Sequence, residues 1–104
     1  MSKPRIQLIK EMLEKESNDS FLNYALALEH IALNDLSQAE RIIENIIRRD
    51  ENYLGAYYQL GKLYEQTNNI NEAIHIYKKG IGIATHQNNQ KTTKELQEAL
   101  ANIT

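Results

Sequence analysis

The amino-acid sequence predicts an all-α protein made of antiparallel helix pairs that repeat along the chain. First, the sequence matches itself when shifted by about 34 residues, so that Leu26 falls on Leu60 and Ala39 on Ala73. Second, the matched positions are mostly apolar or small and have helical spacing, which indicates a pair of helices as the repeated unit. Third, 41% of the 104 residues are hydrophobic and 25% are charged, a mixture that suits a thin helical fold.

Six helices follow from this repeat. Their expected bounds are residues 4–16, 19–33, 36–49, 53–67, 70–86 and 89–103. Two of the helix starts have the chemistry of a capping box, in which an N-cap side chain and a residue three positions later satisfy free backbone N–H groups. The two pairs are Asp35 with Gln38 and Asn69 with Glu72.

The helix predicted over residues 4–16 corresponds to the second helix of a later pair, because Ile9 falls on Ile43 at the same offset. Asn18 falls on Asn52, and both asparagines are expected to cap the first helix of a pair. The chain is therefore expected to begin with half a repeat, which two complete helix pairs follow.

The last predicted helix has one apolar stripe at helical spacing and a polar opposite face. The stripe consists of Leu96, Ala99, Leu100 and Ile103. An array of repeats needs a terminal helix of this kind to cover its last apolar surface, so we expect a C-terminal cap.

The segment from Tyr57 to Ile81 resembles a tetratricopeptide repeat. In that family the first helix carries a bulky residue, Leu-Gly and a tyrosine, and the second carries an alanine, an aromatic and a small residue. The matching residues are Tyr57, Leu60, Gly61 and Tyr64, followed by Ala73, Tyr77 and Gly80. Small residues let the two helices approach closely, and the large ones fill the space around their contact.

The preceding repeat resembles the family less closely. Asn23 stands where a bulky residue is usual and His30 where an aromatic is usual, whereas Ala39 fits the pattern. The resemblance implies one tetratricopeptide-like domain over residues 1–104, wound as a short right-handed superhelix. Its parts are an N-terminal half-repeat helix at 4–16, a first repeat at 20–53, a second repeat at 54–87 and a C-terminal capping helix at 88–104.

Composition and the start of the chain narrow the functional classes. A formal net charge of -2 argues against nucleic-acid binding, and the absence of cysteine excludes a disulfide framework or a thiolate metal site. Gln7, Lys10 and Glu11 interrupt the apolar residues near the N-terminus. We therefore expect neither a secretory signal nor a membrane span, and a cytoplasmic location.

No constellation of residues predicts catalysis, a metal site or a cofactor. The histidines His30, His75 and His86 lack the spacing of a metal-binding pair, and the glycines form no phosphate-binding loop. The carboxylates, Glu44 among them, are scattered along solvated helix faces, and no pair of them is expected to have a raised pKa. The expected protein is not an enzyme.

In the family that this sequence resembles, the first helix of each pair lines a concave face on which peptides or helices of other proteins dock. The resemblance implies a binding face formed by Phe21, Tyr24, Leu28, Ile31, Tyr58, Gln59, Lys62 and Glu65, with Thr92 and Leu96 at its far edge. The residues of the first repeat are unusually apolar for a face in water, which is typical of an interaction site. The alternative is that some of them pack against the N-terminal helix.

One known use of the family is to bind C-terminal carboxylates through lysine, asparagine and arginine side chains on the inner face. Here Tyr24 and Leu28 occupy that face in the first repeat, and Lys62 stands alone in the second. Binding of chaperone tails is therefore not predicted.

The N-terminal helix leaves a second hypothesis open. Ile6, Leu8, Ile9, Met12 and Leu13 span an arc that is wider than one neighbouring helix would cover. Another copy of the chain could cover the remainder, through a two-fold contact or a swapped helix. The expected contact residues of such a homodimer are Ile6, Ile9 and Leu13.

Overall fold

A computed structural model describes residues 3–104, which form six α-helices and no strand. The helices are α1 Arg5–Lys15, α2 Ser20–Ala32, α3 Leu36–Arg49, α4 Leu54–Gln66, α5 Ile70–His86 and α6 Gln90–Ala101. The predicted all-α class is confirmed, and each predicted helix ends within two residues of the observed one. Residues 1 and 2, which the predicted single domain includes, lie outside the described residues.

An asparagine in the left-handed conformation closes the turns after α2, α4 and α5. Asn34, Asn68 and Asn88 have φ angles of 61°, 61° and 58°. The backbone N–H that follows each asparagine bonds to a carbonyl near the end of the helix, as from Asp35 to His30 at 2.8 Å. This is the Schellman arrangement, and asparagine tolerates its left-handed position better than most residues with a Cβ atom. Each of these helices therefore ends in a tight turn that leads directly into the next.

The same turns explain why the predicted capping boxes are wrong. Asp35 and Asn69 do occupy N-cap positions, but neither side chain makes a capping hydrogen bond. In a capping box the later side chain would bond to the backbone N–H of the N-cap residue. Here that N–H is already donated to the preceding helix, to the carbonyl of His30 or of Tyr64.

Side-chain caps occur at two other helix starts. The side chains of Asp19 and Asn89 each accept a hydrogen bond from a backbone N–H in the first turn, at 2.8 Å and 3.0 Å respectively. The predictions of Asn18 and Asn52 as N-caps are wrong, because the N-cap residues are Asp19 and Tyr53.

The chain divides into two compact units, with the boundary after Asp50. In the first unit, α2 packs against both α1 and α3. The buried apolar residues of this unit are Ile9, Ala27, Ala39, Ile43, Ile46 and Ile47. Ser20 Oγ donates a hydrogen bond to Asp50 Oδ2 at 3.0 Å, and Arg5 pairs with Glu29 at 3.8 Å. These polar contacts tie α2 to the end of α3 and to α1.

In the second unit, α5 packs against both α4 and α6. A Cβ atom added to Gly61 of α4 would lie 2.1 Å from the ring of Tyr77 on α5. In return, a Cβ atom on Gly80 of α5 would lie 2.7 Å from Tyr57 Cβ on α4 and 3.0 Å from Leu96 Cδ1 on α6. These two glycine–tyrosine contacts leave no space for a larger residue, so they set how closely α4 and α5 approach.

The hydroxyl groups of both core tyrosines reach hydrogen-bond acceptors. Tyr57 donates to the carbonyl of Glu51 at 2.6 Å, and Lys79 of α5 lies 3.8 Å from the Glu51 carboxylate. Tyr77 donates to the carboxylate of Glu65 on α4. Burial raises the pKa of Tyr77, and the hydrogen bond and negative charge of Glu65 raise it further. The hydroxyl groups of both buried tyrosines are therefore hydrogen-bonded.

Replacing Gly61 tests the first glycine–tyrosine contact. Gly61→Ala should destabilise the protein by about 1–3 kcal/mol, because the new methyl group overlaps the Tyr77 ring. The measurement is urea unfolding followed by circular dichroism. Gly82 is the matched control, since nothing lies within 4 Å of a Cβ atom added there. Gly82→Ala should stabilise by up to about 1 kcal/mol through helix propensity, and equal effects of the two changes would contradict the contact.

The raised pKa of Tyr77 predicts a loss of stability at alkaline pH. As the pH rises above the ordinary tyrosine pKa, the unfolded chain releases the phenolic proton while the folded chain keeps it. The unfolded state then binds fewer protons, so the free energy of unfolding falls, by up to about 1.4 kcal/mol per pH unit for one group.

Urea unfolding between about pH 9 and about pH 11 measures this slope. Tyr77→Phe should remove its share of the slope, because phenylalanine has no proton to lose. Tyr24→Phe is the control, since Tyr24 is a partly buried tyrosine that does not contribute to the raised pKa of Tyr77, and it should keep that share. A Tyr77→Phe variant with the wild-type slope would show that the titration lies elsewhere.

Candidate functional site

One side of α2 carries a row of apolar side chains that are exposed or only partly buried. Phe21 is 68% exposed and Leu28 is 37% exposed, and the two lie two turns apart on the same side of the helix. Tyr24 and Ile31 continue the row and are partly buried. These four residues, called the α2 face below, are the predicted binding residues of the first repeat. Packing of α1 on α2 leaves Phe21 and Leu28 uncovered.

The first helix, α1, covers part of its own apolar arc with α2 and exposes another part. Ile9 is buried, and Ile6 and Leu13 are partly buried. Leu8 and Met12 remain 42% and 51% exposed. Ile9, an expected homodimer residue, is therefore not available to a second copy in this fold. The apolar surface that α1 offers to solvent is formed by Leu8 and Met12.

The predicted binding side of α4 is polar, and its two charged side chains are paired with each other. Lys62 Nζ lies 5.4 Å from the centroid of the Tyr58 ring, which is a cation–π contact, and 3.7 Å from Glu65 Oε2. Glu65 in turn accepts the hydrogen bond from the buried Tyr77. Gln59 lies on the same helix and is partly buried. Lys62 is thus held by its neighbours, which leaves it poorly placed to bind a carboxylate.

A cleft of about 200 Å³ opens between α4 and α6. Its lining residues are Tyr58, Lys62, Glu95, Glu98, Ala99 and Asn102. Within residues 3–104, no cation lies within ion-pair distance of Glu95 or Glu98. Neither glutamate was predicted as a site residue, although their spacing places both on one side of α6. We call this feature the α4–α6 cleft.

The predicted far edge of the binding face is wrong at one residue. Leu96 is fully buried beside Gly80, because it belongs to the contact between α5 and α6. Thr92 is partly buried on the same helix. The residues of α6 that do line the cleft come from the next side of the helix, where Glu95 and Glu98 lie.

One carboxylate departs from the expectation that no pair has a raised pKa. Burial raises the pKa of Glu40 on α3, and the negative charge of Glu44 one turn later raises it further. Like charges one turn apart on a partly buried side of a helix are a sufficient cause. Burial and the neighbouring charge therefore account for the raised pKa of Glu40.

The described part of the chain holds no group of three or more histidine or acidic side chains that could bind a metal ion. His30 is mostly buried, with its Nδ1 atom 3.4 Å from Asp35 Oδ2 in the turn after α2. No helix between residues 3 and 104 is long and apolar enough to cross a membrane. What the fold presents is an apolar face on α2 and a charged cleft between α4 and α6.

Comparison with solved structures supports the repeat fold. A tetratricopeptide repeat domain protein from Salinibacter ruber is 40% identical, with a TM-score of 0.79, and the match covers 82% of this chain and 94% of that one. A protein from Bordetella parapertussis is 20% identical, with a TM-score of 0.85 and coverage of 98% and 89%. The TPR2B domain of yeast Sti1, solved in complex with pHsp70, is 15% identical, with a TM-score of 0.86 and coverage of 94% and 78%. The last two show similarity of fold alone.

Sequence comparison adds a direct match to the second repeat. The family model for the tetratricopeptide repeat matches residues 54–86, which carry the two glycine–tyrosine contacts. A search of curated proteins finds no match. The resemblance predicted from the sequence is confirmed by the family model and by the 40% identity to the Salinibacter ruber domain. This chain belongs to the tetratricopeptide repeat family.

Proposed function

We propose that the protein is a non-enzymatic interaction module that binds a peptide or a helix of another protein on the first helices of its repeats. Tetratricopeptide repeat domains are in general protein–protein interaction modules. The observation that carries the proposal for this chain is the α2 face, where Phe21 and Leu28 expose apolar side chains on one side of a helix. Exposed apolar patches of this kind mark interaction surfaces.

Phe21 is the most exposed side chain of the α2 face. Burying a phenylalanine side chain against a partner is worth about 1.5–3 kcal/mol, which is enough to make it an anchor residue. Leu28 adds a second apolar contact two turns along the helix. Tyr24 lies between them and presents an aromatic ring with a polar end, a type of side chain that is frequent in interfaces. A partner that inserts apolar side chains at helical or extended spacing fits this face.

The proposal assigns a role to each part of the chain. Residues 20–53 and 54–87 are the two repeats, α1 is a half-repeat, and α6 is the capping helix. The yeast Sti1 domain was solved with pHsp70, but we do not propose a carboxylate-bearing tail as the partner here. The supporting observation is that Lys62 is engaged by Tyr58 and Glu65.

Peptides selected from a phage-displayed random library against the wild-type protein test the α2 face. Phe21→Ala should weaken the binding of selected peptides roughly 10- to 150-fold, the affinity equivalent of the burial energy of one phenylalanine. Isothermal titration calorimetry gives the dissociation constants. Circular dichroism should show an unchanged fold, because Phe21 lies on the surface.

Leu33 provides the matched control for this experiment. It is 66% exposed, nearly as much as Phe21, but it lies at the C-cap of α2 and outside the α2 face. Leu33→Ala should leave the affinity within a factor of about two, as expected for a surface change away from the interface. Equal losses for Phe21→Ala and Leu33→Ala, or none for either, would overturn the assignment of the α2 face.

A second candidate function is self-assembly into a homodimer through α1. The observation that favours it is the exposure of Leu8 and Met12 on one side of that helix. A two-fold contact would let each copy cover the apolar residues of the other. Ile6 and Leu13, which are partly buried, would lie at the margin of that contact.

Sedimentation velocity over a roughly hundredfold range of protein concentration tests the homodimer. A dimer should form at the high end, and Met12→Asp should shift the protein to monomer because it places a charge in an apolar contact. Gln7→Asp is the control, since Gln7 is an exposed polar residue of the same helix, and it should leave the dimer intact. A wild-type protein that stays monomeric throughout excludes the homodimer.

A further inference from the structure

We infer that the α4–α6 cleft binds a cationic side chain, an arginine or a lysine, of the partner segment. This inference rests on the proposed function and specifies the chemistry of the partner at the second repeat.

The cleft has the size and walls that a single long side chain requires. Its volume is about 200 Å³, and helix α4 supplies an aromatic wall in Tyr58. On the opposite side, α6 supplies the carboxylates of Glu95 and Glu98, and the C-cap residue Asn102 supplies an amide. Ala99, the smallest residue that lines the cleft, leaves space between the two helices. An aromatic ring beside carboxylates is the environment in which guanidinium and ammonium groups are favourable.

The charges around the cleft are unequal. Lys62 is neutralised by Glu65, whose carboxylate lies 3.7 Å from it and also accepts the Tyr77 hydrogen bond. Glu95 and Glu98 have no cation within ion-pair distance in the described chain. The cleft therefore presents two unbalanced negative charges to a partner, and a positively charged side chain is the complementary group.

Lys91 and Lys94 each precede one of these glutamates by one turn of α6, but neither forms an ion pair with it in the described chain. Lys94 lines a different cavity, together with Thr85 and Gln97, on the side of α6 that faces the end of α5. Lys91 is exposed and forms no ion pair within residues 3–104. Neither lysine is among the residues that line the α4–α6 cleft.

Lys62 itself shows how a cation is held at this position. Its ammonium group lies over the face of Tyr58 at 5.4 Å from the ring centroid, with a carboxylate 3.7 Å away. A cationic side chain from a partner would meet the carboxylates of Glu95 and Glu98 on the α6 side of the cleft, where both are unpaired, with Tyr58 on the α4 side. The same arrangement disfavours an anionic partner, because a carboxylate would approach Glu95 and Glu98.

A titration with two matched peptides tests the inference. The probe is N-acetylated and C-amidated Ala-Arg-Ala-Ala-Arg-Ala, and its partner carries citrulline at both arginine positions, which preserves the shape and removes the charge. Two-dimensional ¹⁵N NMR of the full chain follows the amide signals. The arginine peptide should shift signals of α4 and α6, and the citrulline peptide should not. Raising the salt from about 20 mM to about 300 mM should weaken the shifts, as expected for exposed charges.

Two double variants with equal change of net charge make the result specific. Glu95→Gln/Glu98→Gln should weaken binding of the arginine peptide roughly two- to thirty-fold, the effect of removing two exposed charge pairs. Glu14→Gln/Glu72→Gln removes the same charge from exposed positions outside the cleft, and it should leave the affinity unchanged.

Three results would overturn the inference: no shift with the arginine peptide, equal binding of the citrulline peptide, or equal losses in the two double variants. The experiment also separates this inference from the α2 face. The probe has no large apolar side chain, so Phe21→Ala should still bind it. If binding of the phage-selected peptides does not depend on Phe21, the α2 face is ruled out. The NMR signals of α4 and α6 still test the cleft independently.

Discussion

The second unit depends on the pair of glycine–tyrosine contacts between α4 and α5. Gly61 leaves space for the ring of Tyr77, and Gly80 leaves space for Tyr57, so each helix supplies one large and one minimal side chain. The two contacts fix the separation of the helices and bury both rings completely. Their consequences reach the surface, because the Tyr77 hydroxyl holds Glu65, and Glu65 holds Lys62. The interior packing thereby influences how the two charged side chains of α4 are paired.

The first unit meets the same requirement with different residues. At the positions equivalent to Gly61 and Tyr77 it has Ala27 and Ile43, both fully buried. Ala27 is larger than glycine by one methyl group, and Ile43 is smaller than tyrosine. The two differences compensate, so the helices still pack closely. This exchange departs from the family pattern, which agrees with a family-model match confined to residues 54–86. The two units also differ in surface: α1 and α2 expose large apolar residues, whereas the α4–α6 cleft is charged.

Periodicity predicted the helices well and their caps poorly. Every helix was found, because apolar spacing and the repeat offset act over whole helices and tolerate local exceptions. The capping boxes failed because the sequence pattern of Asp35 and Asn69 cannot reveal that their backbone N–H groups bond to the preceding helix. In the sequence, the only sign of the turns after α2, α4 and α5 is an asparagine, at Asn34, Asn68 and Asn88. Asparagine also serves as an N-cap, so the residue type alone does not identify the turn.

By itself the sequence determined the all-α class, the order and bounds of the helices, the family, and the placement of Phe21 and Leu28 on one side of α2. Those properties depend on spacing along the chain, which a single sequence contains. Only the tertiary structure decided that Ile9 is covered while Met12 is exposed, and that Glu95 and Glu98 face a cleft beside Tyr58. The reason is physical: exposure and charge pairing depend on neighbours from other helices, and the period of one helix carries no information about them.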